Sequence, residues 1–123
     1  MNNNPNEILM QNVPVWFPPT NGASSFNSSP QQLKNAIGYA IQLIVTGTLT
    51  GAVKLQGSVD PVTGQSNQIP TNWTDVQDSS QSVTGAGTVV WNVEDVFYNW
   101  VRVVYTASSG SGTIAGTINT KGV

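Results

Sequence analysis

An all-β fold, an antiparallel β-sandwich of jelly-roll type with about eight strands and an extended N-terminal arm, is what this 123-residue sequence predicts. Three observations carry the prediction. Apolar and polar residues alternate with a period of two over long stretches, turn residues recur every 8 to 12 positions or roughly so, and no amphipathic helix of useful length is present. One strand-and-turn arrangement also occurs nearly twice, at residues 41–46 followed by 47–57 and at residues 101–106 followed by 112–122. Each copy joins an apolar strand to a second alternating strand through small turn residues. That is how an antiparallel hairpin reads in sequence, and the two hairpins read as the halves of one sandwich.

The first element is an arm. Residues 1–35 hold eight Asn and five Pro, with one compact apolar group, Val13-Pro14-Val15-Trp16-Phe17, ahead of Pro18-Pro19. Proline lacks a backbone donor and is confined to strand edges, so this segment reads as an arm with a short edge strand, and the sandwich proper as residues 36–123. Ser29 followed by Pro30 has the form of an N-cap and first helical position, which predicts one or two helical turns over residues 29–34.

From Ala36 the period becomes two. Tyr39, Ile41, Leu43 and Val45 share the face expected to enter the core, while Ala40, Gln42, Ile44 and Thr46 share the other. Val53, Leu55, Gly57 and Val59 continue the alternation until Asp60-Pro61-Val62-Thr63-Gly64 breaks it with turn chemistry. A polar loop then runs to about Asn72. Short strands are expected over residues 73–76, 81–84 and 88–92, with Gly85-Ala86-Gly87 turning the chain between the last two. The stretch from Phe97 to Thr106 is apolar on both faces, as befits a strand in the middle of its sheet.

Composition removes many function classes. Charged residues make up 8% of the chain, against about 25% in an ordinary soluble domain, whereas 47 residues are Ser, Thr, Asn or Gln. The surface is therefore polar but largely uncharged. Lys34, Lys54, Arg102 and Lys121 are the only cations, too few to displace many counterions from a phosphate backbone, so no direct nucleic-acid partner is expected. No run approaches the roughly 18 apolar residues of a membrane-spanning helix. The opening Met1-Asn2-Asn3-Asn4-Pro5 lacks the basic and apolar regions of a signal peptide.

Histidine and cysteine are absent, which removes the commonest general base, the commonest metal ligand and any thiolate nucleophile. No enzymatic activity, catalytic residue, cofactor or metal site is expected. The carboxylates Glu7, Asp60, Asp75, Asp78, Glu94 and Asp95 read as solvated loop and turn acids rather than as a glycosidase pair. Asp60, Asp75 and Asp78 show no calcium-loop register, and Asp routinely stabilises turns. Of the four tryptophans, Trp100 and Trp73 sit beside apolar neighbours in expected strands and read as core residues. Trp16, in the Pro-flanked arm, suits an intersubunit anchor. Trp91 fits either the core or an exposed site, and Trp73 and Trp91 are the aromatics that a ligand or an interface would use.

Residues 42–122 also support a comparison. The order Gly47-Thr48-Leu49-Thr50-Gly51, Lys54-Leu55-Gln56-Gly57-Ser58-Val59-Asp60, Asn72-Trp73-Thr74-Asp75-Val76, Val83-Thr84-Gly85-Ala86-Gly87, Trp91-Asn92-Val93 and residues 99–106, closing on Thr120-Lys121-Gly122, resembles small virion structural proteins of tailed bacteriophages, capsid decoration and other minor structural proteins among them. A second resemblance, to discoidin-type and related galactose-binding-like modules, rests on Ser58-Val59-Asp60, Trp73-Thr74 and Trp100-Val101-Arg102. It implies a jelly roll and glycan binding, but the stretch from Pro61 to Thr71 is longer than the tight turn usual there, and no ligand-binding residue carries over.

The first resemblance implies a non-enzymatic virion protein, assembled in the host cytoplasm, that cements the head by contacting the major capsid protein or other virion proteins. Such a protein would act as a homo-oligomer, a trimer suiting three-fold capsid sites. Val13, Val15, Trp16 and Phe17 are the expected contact set of the arm. The alternatives are a carbohydrate-binding module and a tail or spike component.

Overall fold

The computed structural model describes residues 15–33, 36–63, 68–94 and 96–122. Among the described residues ten strands form: β1 (Val15–Asn21), β2 (Phe26–Asn27), β3 (Gln31–Gln32), β4 (Ala36–Val45), β5 (Thr50–Ser58), β6 (Thr74–Asp75), β7 (Gln81–Thr84), β8 (Gly87–Val93), β9 (Trp100–Ser109) and β10 (Thr113–Gly122). They build two antiparallel sheets. The first has the order β1-β10-β4-β8; in the second, β9 and β5 lie side by side, with β2 and β3 along the outer edge of β9 and β6 and β7 along that of β5.

The alternation read from the sequence decides which side chains meet between the sheets. Ile41, Leu43, Val45, Ile114 and Ile118 enter from the first sheet, and Val53, Leu55, Val101, Val103 and Tyr105 from the second. Each is nearly inaccessible to water, and burying such a side chain contributes about 1.5–3 kcal/mol before conformational entropy is charged against it. β9, apolar on both faces in the sequence, lies between β5 and the pair β2 and β3.

The two sequence repeats do not form two hairpins. β4 belongs to the first sheet and β5 to the second, while β9 lies in the second and β10 in the first. Each repeat therefore crosses from one layer to the other, and the copies pair with each other, Ile41 opposite Ile118 and Val53 opposite Tyr105. Alternation reports which face a residue occupies and is silent about its partner strand. The crossing loops decide the partner. Thr46 and Thr48 donate their backbone N–H groups to the carbonyls of Thr113 and Ser111 at 2.9 and 2.8 Å, and the Thr46 and Thr113 hydroxyls meet at 2.8 Å. These bonds knit the two corners together. At Gly110 the backbone takes φ of +87°, and a Cβ there would stand 2.1 Å from the Thr48 carbonyl oxygen.

The sandwich also takes in more of the chain than residues 36–123. β1 is an edge strand, as its prolines require, and pairs with β10 through two register shifts, one between Val15 and Phe17 and one across Pro18 and Pro19. Phe17 is only 5% exposed and meets Phe26 edge-on at 6.1 Å, and Phe26 in turn packs on Tyr105 at 5.6 Å. No helical turn forms over the described part of residues 29–34. β3 pairs with Trp100 and Val101, and the Leu33 amide bonds to the Asn99 carbonyl at 2.7 Å. A single capped turn is too short to hold itself, and burying Leu33 favours the extended path. Phe17→Leu is expected to cost about 1–2 kcal/mol in chemical denaturation, as befits a core position rather than a displayed one.

Candidate functional site

The outer face of the first sheet is uncharged along the middle of its strands and carries Lys121 near one end. The register of its strands places Gln42 between Val90 and Thr117, Ile44 between Thr88 and Ala115, and Ala40 between Asn92 and Asn119. Ile44 is 49% and Val90 54% exposed. The sequence alternation puts Ile44 on the non-core face with Ala40, Gln42 and Thr46, and an isoleucine on an otherwise polar face is the available signal. Val90 is masked by its neighbour, since Val89 and Val90 are equally apolar and one of the two has to face outward.

Two grooves indent this face. One, of about 200 Å³, lies between Pro18-Pro19 and Ile44, Ala115 and Thr117. The other, of about 400 Å³, lies at the opposite end of the strands, where Gly38 and Ala40 leave a low floor between Asn119 and Lys121 on one side and Asn92 and Glu94 on the other. Tyr39 lies beneath this second groove. Burial, reinforced by the nearby Tyr98, pushes its hydroxyl up to about 12. The folded protein thus holds that proton more tightly than the unfolded chain does. Stability is expected to be unaffected by Tyr39 below pH 10 and to fall as pH rises from 10 towards about 12, and Tyr39→Phe should flatten that part of a denaturation-versus-pH curve.

The outer face of the second sheet carries a charged network of Lys54, Asp75 and Arg102. Arg102 directs Nε and Nη2 to the Gln56 Oε1 at 2.9 and 2.7 Å, Gln56 donates to Asp75 at 2.9 Å, and Lys54 closes on Asp75 at 3.0 Å. The guanidinium lies 4.3 Å from the centre of the Trp73 ring. Gln56, and then Lys54, hold the Asp75 carboxyl below the usual range. Asp60 is likewise held low by the Asn72 side chain and by the amides of Thr71 and Asn72. Asp60 thereby ties down the loop that leads into β6. Asp60 and Asp75 are thus occupied separately, and among the described residues no group of three metal-ligating side chains converges.

The residues expected to form a site fall in different places. Val13 lies outside the described residues, and Val15 is placed by its backbone opposite Thr117. Trp16 is half-buried, donates its indole N–H to the Ser29 carbonyl at 3.0 Å and meets Phe17 edge-on. Trp16 and Phe17 are thus held against their own chain. Trp91 is 7% exposed and gives its N–H to the Ser79 carbonyl at 2.7 Å, which resolves its two readings in favour of the core. Trp100 is buried with its N–H on the Asp60 carbonyl. Trp73 is half-buried, its N–H on the Pro70 carbonyl and Arg102 over its ring. Of the aromatics named for ligand binding, Trp73 alone retains exposed surface.

No protein-family model and no curated protein matches this sequence. Among solved structures, the crystal structure of PirA has a similar fold, with a TM-score of 0.54 and 11% sequence identity over 85% of this chain and 94% of that one. At that identity the likeness concerns the arrangement of strands alone.

Proposed function

We propose that this chain is a non-enzymatic structural protein of a bacteriophage particle, a decoration protein that seats on the head as a homo-oligomer and contacts the major capsid protein. The observation that supports the reading most is the outer face of the first sheet, uncharged from Thr88 to Asn92 and exposing Ile44 and Val90. Repeated small contacts of this kind are individually weak and become strong by multiplicity. The second support is the resemblance of residues 42–122 to virion proteins.

The test is binding of the purified chain to heads that lack it, read by sedimentation of the particles. Full-length protein should co-sediment at symmetric occupancy. Removal of residues 1–14 should abolish attachment if the arm clamps the head. The deletion must stop there, because a longer one removes Phe17 from the core. Absence of the protein from a mass-spectrometric inventory of purified particles would overturn the proposal.

A second reading, glycan binding, is favoured by the groove over Gly38 and Ala40, whose rim of Asn92, Asn119, Glu94 and Lys121 supplies amide, carboxylate and ammonium partners for vicinal hydroxyls. Glycan-array binding lost in Asn92→Ala and Asn119→Ala would establish it; an array without hits would remove it.

A further inference from the structure

The two edges of the first sheet are built differently. β1 closes one edge with Pro18, Pro19 and two register shifts, devices that prevent another strand from pairing. β8, at the other edge, runs Gly87-Thr88-Val89-Val90-Trp91-Asn92-Val93 with no proline, no charge and an unbroken register against β4.

The polarity of this edge can be read from its bonds. Gln81 Nε2 reaches the Val90 carbonyl at 3.1 Å, while on the other side of β4 the Thr46 amide bonds to the Thr113 carbonyl at 2.9 Å, so that alternation turns Gln42, opposite Val90, towards β10, where its carbonyl also accepts from the Thr117 hydroxyl. The Gln42 and Val90 pair is therefore of the non-hydrogen-bonded kind, and antiparallel alternation turns the N–H and C=O groups of Thr88, Val90 and Asn92 away from β4. The single amide of Gln81 is the cover that the described hydrogen bonds supply. It is a side chain that can swing away, unlike a proline.

We infer that β8 is a self-pairing edge: two copies of this chain join their β8 strands antiparallel about a twofold axis at Val90, so that the first sheet runs on from one subunit into the next. In that register Val90 faces Val90 of the second copy and Thr88 faces its Asn92. About six backbone hydrogen bonds form across the axis. The pairing is self-complementary in side chains as well, apolar on apolar at the centre and hydroxyl on amide at either side. Identical strands bearing a lysine or glutamate near the axis would set like charges against each other, and β8 has none to set. The inference stands on the edge itself and holds whether or not the protein belongs to a virus particle.

Sedimentation equilibrium of the full-length chain tests it. Dimers should form at tens of micromolar or thereabouts. Val90→Lys and Val90→Glu should each weaken self-association by about tenfold or more, and an equimolar mixture of the two should restore a heterodimer in a salt-dependent way. Val90→Pro removes a donor that faces outward, so it should abolish dimers while leaving the circular dichroism spectrum unchanged. A wild-type chain still monomeric at about 500 µM would overturn the inference. So would lysine and glutamate variants that dimerise like the wild type, or a mixture no tighter than either variant alone. Failure here leaves particle attachment, measured by co-sedimentation with heads, untouched.

Discussion

Gly110→Ala is expected to destabilise the protein by about 3 kcal/mol or more, a large share of the roughly 5–15 kcal/mol that holds a domain folded. Two costs coincide at this position. The backbone sits at φ +87°, which an L side chain resists, and the new methyl carbon would lie 2.1 Å from the Thr48 carbonyl oxygen. The obstacle is backbone rather than a flexible side chain, so relief requires the two corners to separate, breaking the bonds of Thr46 and Thr48 to Thr113 and Ser111. Gly85→Ala separates the two costs. Gly85 has a φ of +88°, and no atom lies within 4 Å of the place its methyl carbon would take, so only the conformational cost of about 1–2 kcal/mol applies. Equal denaturation midpoints for the two variants would refute the corner argument.

The second large effect is expected at Trp91. Trp91→Ala should cost about 3–5 kcal/mol, because it removes a buried ring from the core and leaves the Ser79 carbonyl without its indole donor. Trp91→Phe should recover much of the packing but not the hydrogen bond, falling between the two. Trp73→Ala should lose only about 1 kcal/mol, the scale of a partly exposed contact with a guanidinium. Urea denaturation would rank the three, and a Trp73 variant as unstable as Trp91→Ala would contradict this placement.

The contrast between these tryptophans shows how far sequence carries. Tyr39, Ile41, Leu43 and Val45 announce their face because each is followed by a residue of different character or by a strand neighbour that keeps the period. At Trp91 the alternation is blurred by the apolar Val90 before it, and only the third dimension brings Ser79 beneath its indole. Phe17 misleads for a related reason. Its prolines correctly imply an edge strand, yet an edge strand still has an inner face, and Phe17 is on it. The uncharged outer face is legible only in part, through Ile44, because its other members are small or polar residues common in any strand. The grooves are not legible at all, since one arises where residues from β4, β8 and β10 fall side by side and the other where β1, β4 and β10 do.

The exchange of partners between the repeats bears on when the protein can form during its synthesis. β4 waits for β10 and β5 waits for β9, so neither sheet has its middle until the last strands have left the ribosome. Pairings between such distant segments must close long loops first, which slows folding relative to local contacts. The nascent chain consequently carries β4 without β10 and β5 without β9 for most of its elongation, with only β8 available to pair β4 and the short β6 and β7 to pair β5. Its scarcity of charge gives little help in keeping them apart, and this interval, rather than the finished sandwich, is where the polypeptide is most exposed to aggregation and most dependent on chaperones.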